Sequence, residues 1–254
     1  AKSHGDGITM GGFQWGGDIE LGYRFTDIDG RNRYKEVANL MGGLKLFDLS
    51  LWANDLEKKG FSDYFSLNLN GIGDPFPSGR FQIKKDKNYD LVATYKEYKY
   101  FFDREDTPLT DNHEFNTRLK RGTLGLTFFP KTDFRLNLGY SSTWREGDAG
   151  VPRYIGGLYS RFEQDLDEQL NEYFISGDFS IGTWDFHVKQ SFWNFQNKSE
   201  IFSLPLIEDQ SGHVKTYVST IKAHTQFGDR WDLDTGYIYA HSEGRSEITT
   251  NHLG

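Results

Sequence analysis

The segment from Asp133 to Trp144 alternates between apolar and polar residues at nearly every position. Phe134, Leu136 and Tyr140 share one parity, and polar or small residues occupy the other. Because successive side chains of a strand point to opposite faces, this pattern predicts a strand with one apolar and one polar face. The alternation recurs along the chain and predicts about eleven strands, most of them longer than is usual in soluble proteins. They lie at residues 19–26, 47–52, 65–70, 79–85, 89–102, 123–128, 133–144, 173–181, 184–192, 217–227 and 231–239.

The connections between these strands differ in length. Tight turns are expected at 85–88, 130–133, 182–183 and 228–230, and longer polar loops at 27–41, 103–118, 145–171 and 197–212. Short turns at one rim and long loops at the other are typical of outer-membrane β-barrels. The acidic segment from Ser160 to Glu172 has apolar residues at helical spacing, which indicates a short helix in a loop, a solvated loop or a partner-docking surface.

An apolar strand face can pack into a soluble core or contact lipid. Strand length, the alternation of turn lengths and aromatic residues at strand ends favour lipid, as does a hydrophobic content of only 36%. The predicted fold class is therefore all-β, an antiparallel transmembrane β-barrel of the outer-membrane type with about 11–12 strands in this chain. Residues 1–11 are expected to form a flexible segment and 12–254 the barrel strands. Since an odd strand count cannot close, we expect part of a larger barrel, incomplete at the C-terminal end.

Parity also assigns residues to the two sides of such a barrel. Pairing across the tight turns predicts that Asp178 lies opposite His187 and Asp234 opposite His224. Aromatic residues at strand ends are expected at the membrane interface: Trp144, Trp184, Trp231 and Tyr239. The predicted lumen-lining residues are Glu20, Arg24, Arg135, Asn137, Asp178, Asp185, His187, Lys189, Lys222, His224, Asp232 and Asp234.

Composition removes several functional classes. A net charge of −8 argues against a nucleic-acid partner, and the absence of cysteine excludes covalent haem attachment and thiolate metal sites. No nucleophile elbow, phosphate loop or paired-carboxylate motif indicates an enzyme. His187, His224 and His241 suggest a metal site, but no third ligand follows at fixed spacing, so lumen lining is the preferred interpretation. We therefore expect no enzymatic activity and no metal or cofactor bound by this chain.

Three stretches resemble a known group of proteins. They are GYRFTDIDGRNRYKEVANLMGGLKLFDLSL, GIGDPFPSGRFQIKKDKNYDLVATYKEYKYFF and TLGLTFFPKTDFRLNLGYS. Their strand sequences resemble those of the decahaem-associated outer-membrane barrels of the MtrB/PioB type, and the likeness covers most of residues 12–200. Members of that family are longer, with more strands, and some carry a CxxC pair near the N-terminus that this chain lacks.

The resemblance implies a function in the bacterial outer membrane. The barrel would contact outer-membrane lipid and sheathe a multihaem c-type cytochrome, whose haems carry electrons across the membrane. All haem would then belong to the partner. The alternative is a general diffusion porin or solute channel without a cytochrome, and a third class is a structural or adhesive barrel acting through its outer loops.

Overall fold

A computed structural model describes residues 7–27, 34–104, 113–155, 158–203, 206–228 and 230–252. The chain is all-β: twelve antiparallel strands form one sheet in which each strand pairs with its neighbours in sequence. The strands are β1 (Ile8–Met10), β2 (Phe13–Arg24), β3 (Gly43–Asp55), β4 (Tyr64–Ile72), β5 (Ser78–Lys85), β6 (Tyr89–Arg104), β7 (His113–Phe128), β8 (Phe134–Ile155), β9 (Leu158–Ile181), β10 (Trp184–Ser203), β11 (Leu206–Phe227) and β12 (Trp231–His252); one short helix, α1, spans Tyr34–Val37.

All eleven predicted strands are present, and β1 is the twelfth. β1 lies within the segment 1–11 that was expected to be flexible; residues 1–6 lie outside the described part of the chain. The twelve described strands lie within the predicted range of about 11–12, but their number is even, whereas the expectation of an open edge assumed an odd number. The sheet is nevertheless open in this structure, because β1 and β12 stand at its two ends without pairing with each other.

Two predicted loops, 145–171 and 197–212, were wrong, since strand structure continues through almost all of both. The helix proposed for Ser160 to Glu172 was wrong as well, because this segment belongs to β9. Phe162, Leu166 and Leu170 are spaced by four residues. That spacing fits one face of a helix, but as a multiple of two it also fits one face of a strand.

Strand length divides the sheet into two regions. The short region, β2–β5, has strands of 8 to 13 residues, whereas the long region, β8–β12, has strands of 20 to 24 residues. The tight turns that follow β5, β7, β9 and β11 lie at one edge of the sheet, which we call the turn rim. Gly182 (φ 63°) and Gly228 (φ 59°) allow the left-handed backbone that two of these turns require.

The position of the turn rim shifts along the register. β8 begins two residues beyond the pair of Leu136 with Phe128. β9 ends at Ile181, two residues beyond the pair of Phe134 with Phe179. β11 ends at Phe227, two residues beyond the pair of Trp184 with Thr225. β10 begins level with the end of β9, and β12 level with the end of β11. From β8 to β12 the rim therefore moves by two residues at each second strand.

A register shift between β2 and β3 overturns one predicted orientation. Glu20 pairs with Asp48 and Leu21 with Leu46, so Phe47 is an extra residue in β3. In the predicted strand 47–52, simple alternation places Phe47 on the apolar face together with Leu49 and Leu51. Its ring instead lies 5.5 Å from the guanidinium of Arg24 and packs against Gly22, both on the polar face.

Candidate functional site

The sheet has a polar face and an apolar face, which the register continues from strand to strand. The pairs Asp178–His187 and His224–Asp234 are confirmed. By strand parity, all twelve predicted lumen-lining residues share the polar face.

The apolar face carries a band of large side chains next to the turn rim. Tyr173 and Ile175 of β9 are 49% and 48% exposed, and Tyr237 of β12 is 62% exposed. No second layer of the described chain covers them. In the long region, this apolar band comprises Phe134, Leu136, Leu138, Tyr140, Tyr173, Ile175, Phe179, Ile181, Trp184, Phe186, Val188, Phe192, Tyr217, Ile221, Phe227, Trp231, Leu233, Tyr237 and Tyr239.

A row of four aromatic residues marks the upper edge of the apolar band, away from the turn rim. The rings of Tyr140, Tyr173, Phe192 and Tyr217 occupy one register row across β8–β11, with neighbouring centroids 4.9, 6.3 and 5.1 Å apart. The Tyr140 hydroxyl donates to Asn171 Oδ1 (2.9 Å), just above the row. Each ring thus adjoins apolar side chains, and one tyrosine turns its polar tip upward.

A second aromatic group lies at the lower edge of the band. Phe179 and Phe186 stack with centroids 5.3 Å apart, and Trp184 meets Phe227 edge to face at 6.2 Å. Trp184 and Trp231, two of the predicted interface aromatics, belong to this group. Tyr239 lies near the upper edge.

Trp144, the fourth predicted interface aromatic, lies higher than the others. On the apolar-face parity of β8 it stands four residues above Tyr140, where it pairs with Lys120 and Gln169. Its ring packs against Gly122. Trp144 is therefore surrounded by the polar part of that face.

Above the upper aromatic row, the same face of the long strands becomes charged. We call this part of β8–β12 the upper extension. One register row joins Asp148, Asp165, Glu200 and Asp209 on four adjacent strands. Burial, together with repulsion from Asp165, raises the pKa of Asp148 above its usual value. The row indicates a face that needs water, since opposed carboxylates repel each other.

The polar face also changes character in the upper extension. Leu166 and Ile201 are buried on this face, at 4% and 2% exposure, and Trp193 is 40% exposed. The alternation of apolar and polar residues did not predict this change. Its signal is present in Phe162, Leu166 and Leu170, which share the parity of the polar residues Ser176 to Ser180.

Most of the predicted lumen residues of the long region meet in a cleft of about 790 Å³ on the polar face, which we call the polar cleft. His187 Nδ1 lies 2.7 Å from Asp178 Oδ1, and His224 Nδ1 lies 2.9 Å from Asp234 Oδ1. Asp178 also accepts a hydrogen bond from Asn137 (3.1 Å). Seven of the twelve predicted residues line this cleft: Arg135, Asp178, Asp185, His187, Lys222, His224 and Asp234.

Lys189 lies outside this cleft in a contact that the sequence did not indicate. Its ammonium donates to Glu172 (3.2 Å) and lies 4.3 Å from the ring centre of Phe174. Phe174 in turn covers Gly139 of β8, where an added Cβ would come within 2.0 Å of the ring. Gly139 is therefore required for a close approach across the polar face.

Arg24, another predicted residue, takes part in a buried ion cluster in the short region. It pairs with Asp74, whose carboxylate also lies 3.3 Å from the ammonium of Lys45. Lys45 is 2% exposed and donates in addition to the Gly73 carbonyl. The cluster joins the upper ends of β2 and β3 to the turn between β4 and β5.

A second polar network holds the turn rim of the short region. Lys85 donates to Asp63 Oδ1 (2.7 Å) and to the Lys58 and Gly60 carbonyls (2.8 and 2.9 Å). The Lys85 ammonium and the Asp86 amide together hold the pKa of Asp63 below its usual value. This network fixes the loop between β3 and β4.

Within the described residues there is neither a cluster of three metal-ligating side chains nor a helical membrane span. No group of three or more His, Asp or Glu side chains in the described ranges is arranged to hold a metal ion. Over the same ranges, no helix has the length and apolar character to cross a membrane.

The chain matches no family model, no curated protein and no solved structure. The chemistry of the apolar and polar faces of the sheet is therefore the basis for a functional proposal.

Proposed function

We propose that this chain forms part of a β-barrel in the bacterial outer membrane, with the apolar band against lipid and the polar face towards a lumen. The exposed apolar band between two aromatic rows carries the proposal. From Trp184 to Phe192 the band spans nine residues, and a strand needs about 9–11 residues to cross a bilayer. Membrane barrels show such a band, about 25 Å tall, between two aromatic girdles.

The mixed charges of the polar face favour a lumen that holds a protein. Side chains of both signs alternate in the polar cleft, with Asp178 and Asp185 near Arg135 and Lys222. Selective ion pores are usually ringed by charges of one sign, whereas a mixed wall suits the irregular surface of a protein plug. Together with the resemblance of its strands, this favours a sheath for a multihaem c-type cytochrome. The chain lacks cysteine, so covalently attached haem would belong to the partner.

Membrane insertion is tested by a pair of adjacent substitutions in β8. Leu138→Arg places a charge in the apolar band and should cost about 2–4 kcal/mol, whereas Asn137→Arg on the polar face should cost much less. Unfolding in urea from lipid vesicles measures both. Equal stability of the two variants, or a stable monomer in plain buffer, would overturn the barrel.

The cytochrome is tested by purification from the native membrane and by reconstitution. The protein should co-purify with haem, and vesicles that carry the complex should reduce an enclosed dye from an external donor at low ionic conductance. A haem-free preparation with steady conductance would instead establish a diffusion porin.

A further inference from the structure

Two histidines of the polar cleft share an arrangement that the lumen proposal does not use. His187 and His224 each direct Nδ1 at a carboxylate, of Asp178 and Asp234 respectively. An ionised carboxylate only accepts hydrogen bonds, so Nδ1 must carry the proton and donate it. In the neutral ring this leaves the lone pair on Nε2, and no described residue forms a hydrogen bond with either Nε2 atom. Metal-ligating histidines are oriented by carboxylates in the same way.

The register places the two histidines on the same face of adjacent strands. His187 lies directly opposite Lys222, and His224 directly opposite Asp185, so the two histidines are diagonal neighbours on β10 and β11. Diagonal positions on one face are about 7–8 Å apart, within reach of long side chains. Since a metal–imidazole bond is about 2.0–2.1 Å, two such rings can meet at one ion.

The surrounding charges favour a cation. Four carboxylates line the polar cleft, of Asp133, Asp178, Asp185 and Asp234, against the two cations Arg135 and Lys222. With both imidazoles neutral, the formal charge of this group is −2. Imidazole nitrogen is a ligand suited to zinc, copper and nickel.

We propose that His187 and His224 bind one first-row divalent transition metal ion, such as Zn²⁺, Ni²⁺ or Cu²⁺, through their Nε2 atoms in the polar cleft. Water completes the coordination, because no third ligating side chain already converges there among the described residues. Asp178 and Asp234 act as positioning residues. The site goes beyond the proposed conduit and does not depend on what fills the lumen.

The test uses the whole chain, folded in detergent and stripped with a chelator. Calorimetric titration with Ni²⁺ should show one ion per chain, and the electron paramagnetic resonance spectrum of Cu²⁺ should show coupling to two imidazole nitrogens. His187→Asn and His224→Asn should each abolish saturable binding. Asp178→Asn and Asp234→Asn should weaken it about 10–100-fold while the imidazoles remain. Circular dichroism checks that every variant keeps its strands.

Matched controls lie on the opposite face of the same strands. His213→Asn on β11 and His241→Asn on β12 should bind as the parent does, since both imidazoles share the parity of the apolar face. Lys222→Gln should tighten binding by removing a cation opposite His187. The proposal is overturned if the parent shows no saturable binding, if binding survives both cleft histidine variants, or if the control variants lose it equally.

Discussion

The short region and the long region share an apolar band but end differently above it. β4 and β5 have 9 and 8 residues, close to the length of one membrane crossing, and the buried cluster of Arg24, Asp74 and Lys45 joins the strand ends. β8–β12 continue for 11 to 15 residues beyond the band, and the face that is apolar in the band becomes charged there. This difference shows that the length of the strands and the height of the apolar band are determined by different factors. The medium around the band limits its height, while backbone pairing continues beyond it.

The largest predicted effect concerns the cluster that closes the short region. Asp74→Ala leaves the ammonium of Lys45, 2% exposed, without its carboxylate, and should cost about 3–5 kcal/mol. The matched change in the upper extension, Glu247→Ala, breaks an ion pair whose side chains are 58% and 85% exposed and should be nearly neutral. Urea unfolding compares them. Similar losses would show that the two regions are not stabilised differently.

The next effect separates the band from the extension within a single strand. Ile175→Arg lies in the band of β9, and Gln169→Arg lies six residues higher on the same face. The first should cost about 2–4 kcal/mol in lipid, because it puts a charge into the apolar band. The second should change stability by less than about 0.5 kcal/mol, because that position already faces water. If Gln169→Arg were as costly as Ile175→Arg, the band would extend into the upper extension.

The smallest predicted effect is that ionisation of Asp63 and ionisation of Asp148 change the stability of the fold in opposite directions. The pKa of Asp63 is lowered by Lys85, so its stabilisation is present above the usual value of 3.8 and is lost as pH falls through the folded-state pKa. The pKa of Asp148 is raised by burial and by Asp165, so protonation on acidification stabilises the fold. At pH 7, Asp63→Asn should destabilise and Asp148→Asn should stabilise. Both differences should shrink near pH 3, as urea unfolding at the two pH values can show.

The sequence predicted the band far better than the extension, for a physical reason. In the band one face is mostly apolar, so a strand such as Trp184 to Phe192 carries a clear period of two, broken on that face only at Gln190. In the upper extension, the face that is apolar in the band becomes polar. The opposite face mixes Leu166 and Leu170 with Glu168, so the alternation of apolar and polar residues is weaker there. The resulting pattern resembles a loop or a helix.

The candidate site was predictable only in part. Parity and turn length sufficed to pair Asp178 with His187 and His224 with Asp234 across tight turns. The cluster of Arg24 with Asp74 joins residues 50 positions apart, which no local pattern reveals. Phe47 was misplaced because a register shift leaves no mark in the alternation itself.

The two-residue shift of the turn rim at each second strand from β8 to β12 determines how the strands are inclined. The shift averages one residue per strand, about 3.3 Å along the strand for every 4.8 Å across the sheet, which inclines β8–β12 by roughly 35° to the axis of a barrel with a level rim. Membrane barrels have strand tilts of about 35–45°. At this inclination the nine band residues of β10 rise about 22 Å and the eleven of β11 about 27 Å. The strand tilt that follows from the turn rim, combined with the length of the band, thus predicts the thickness of the hydrocarbon layer that the barrel would span.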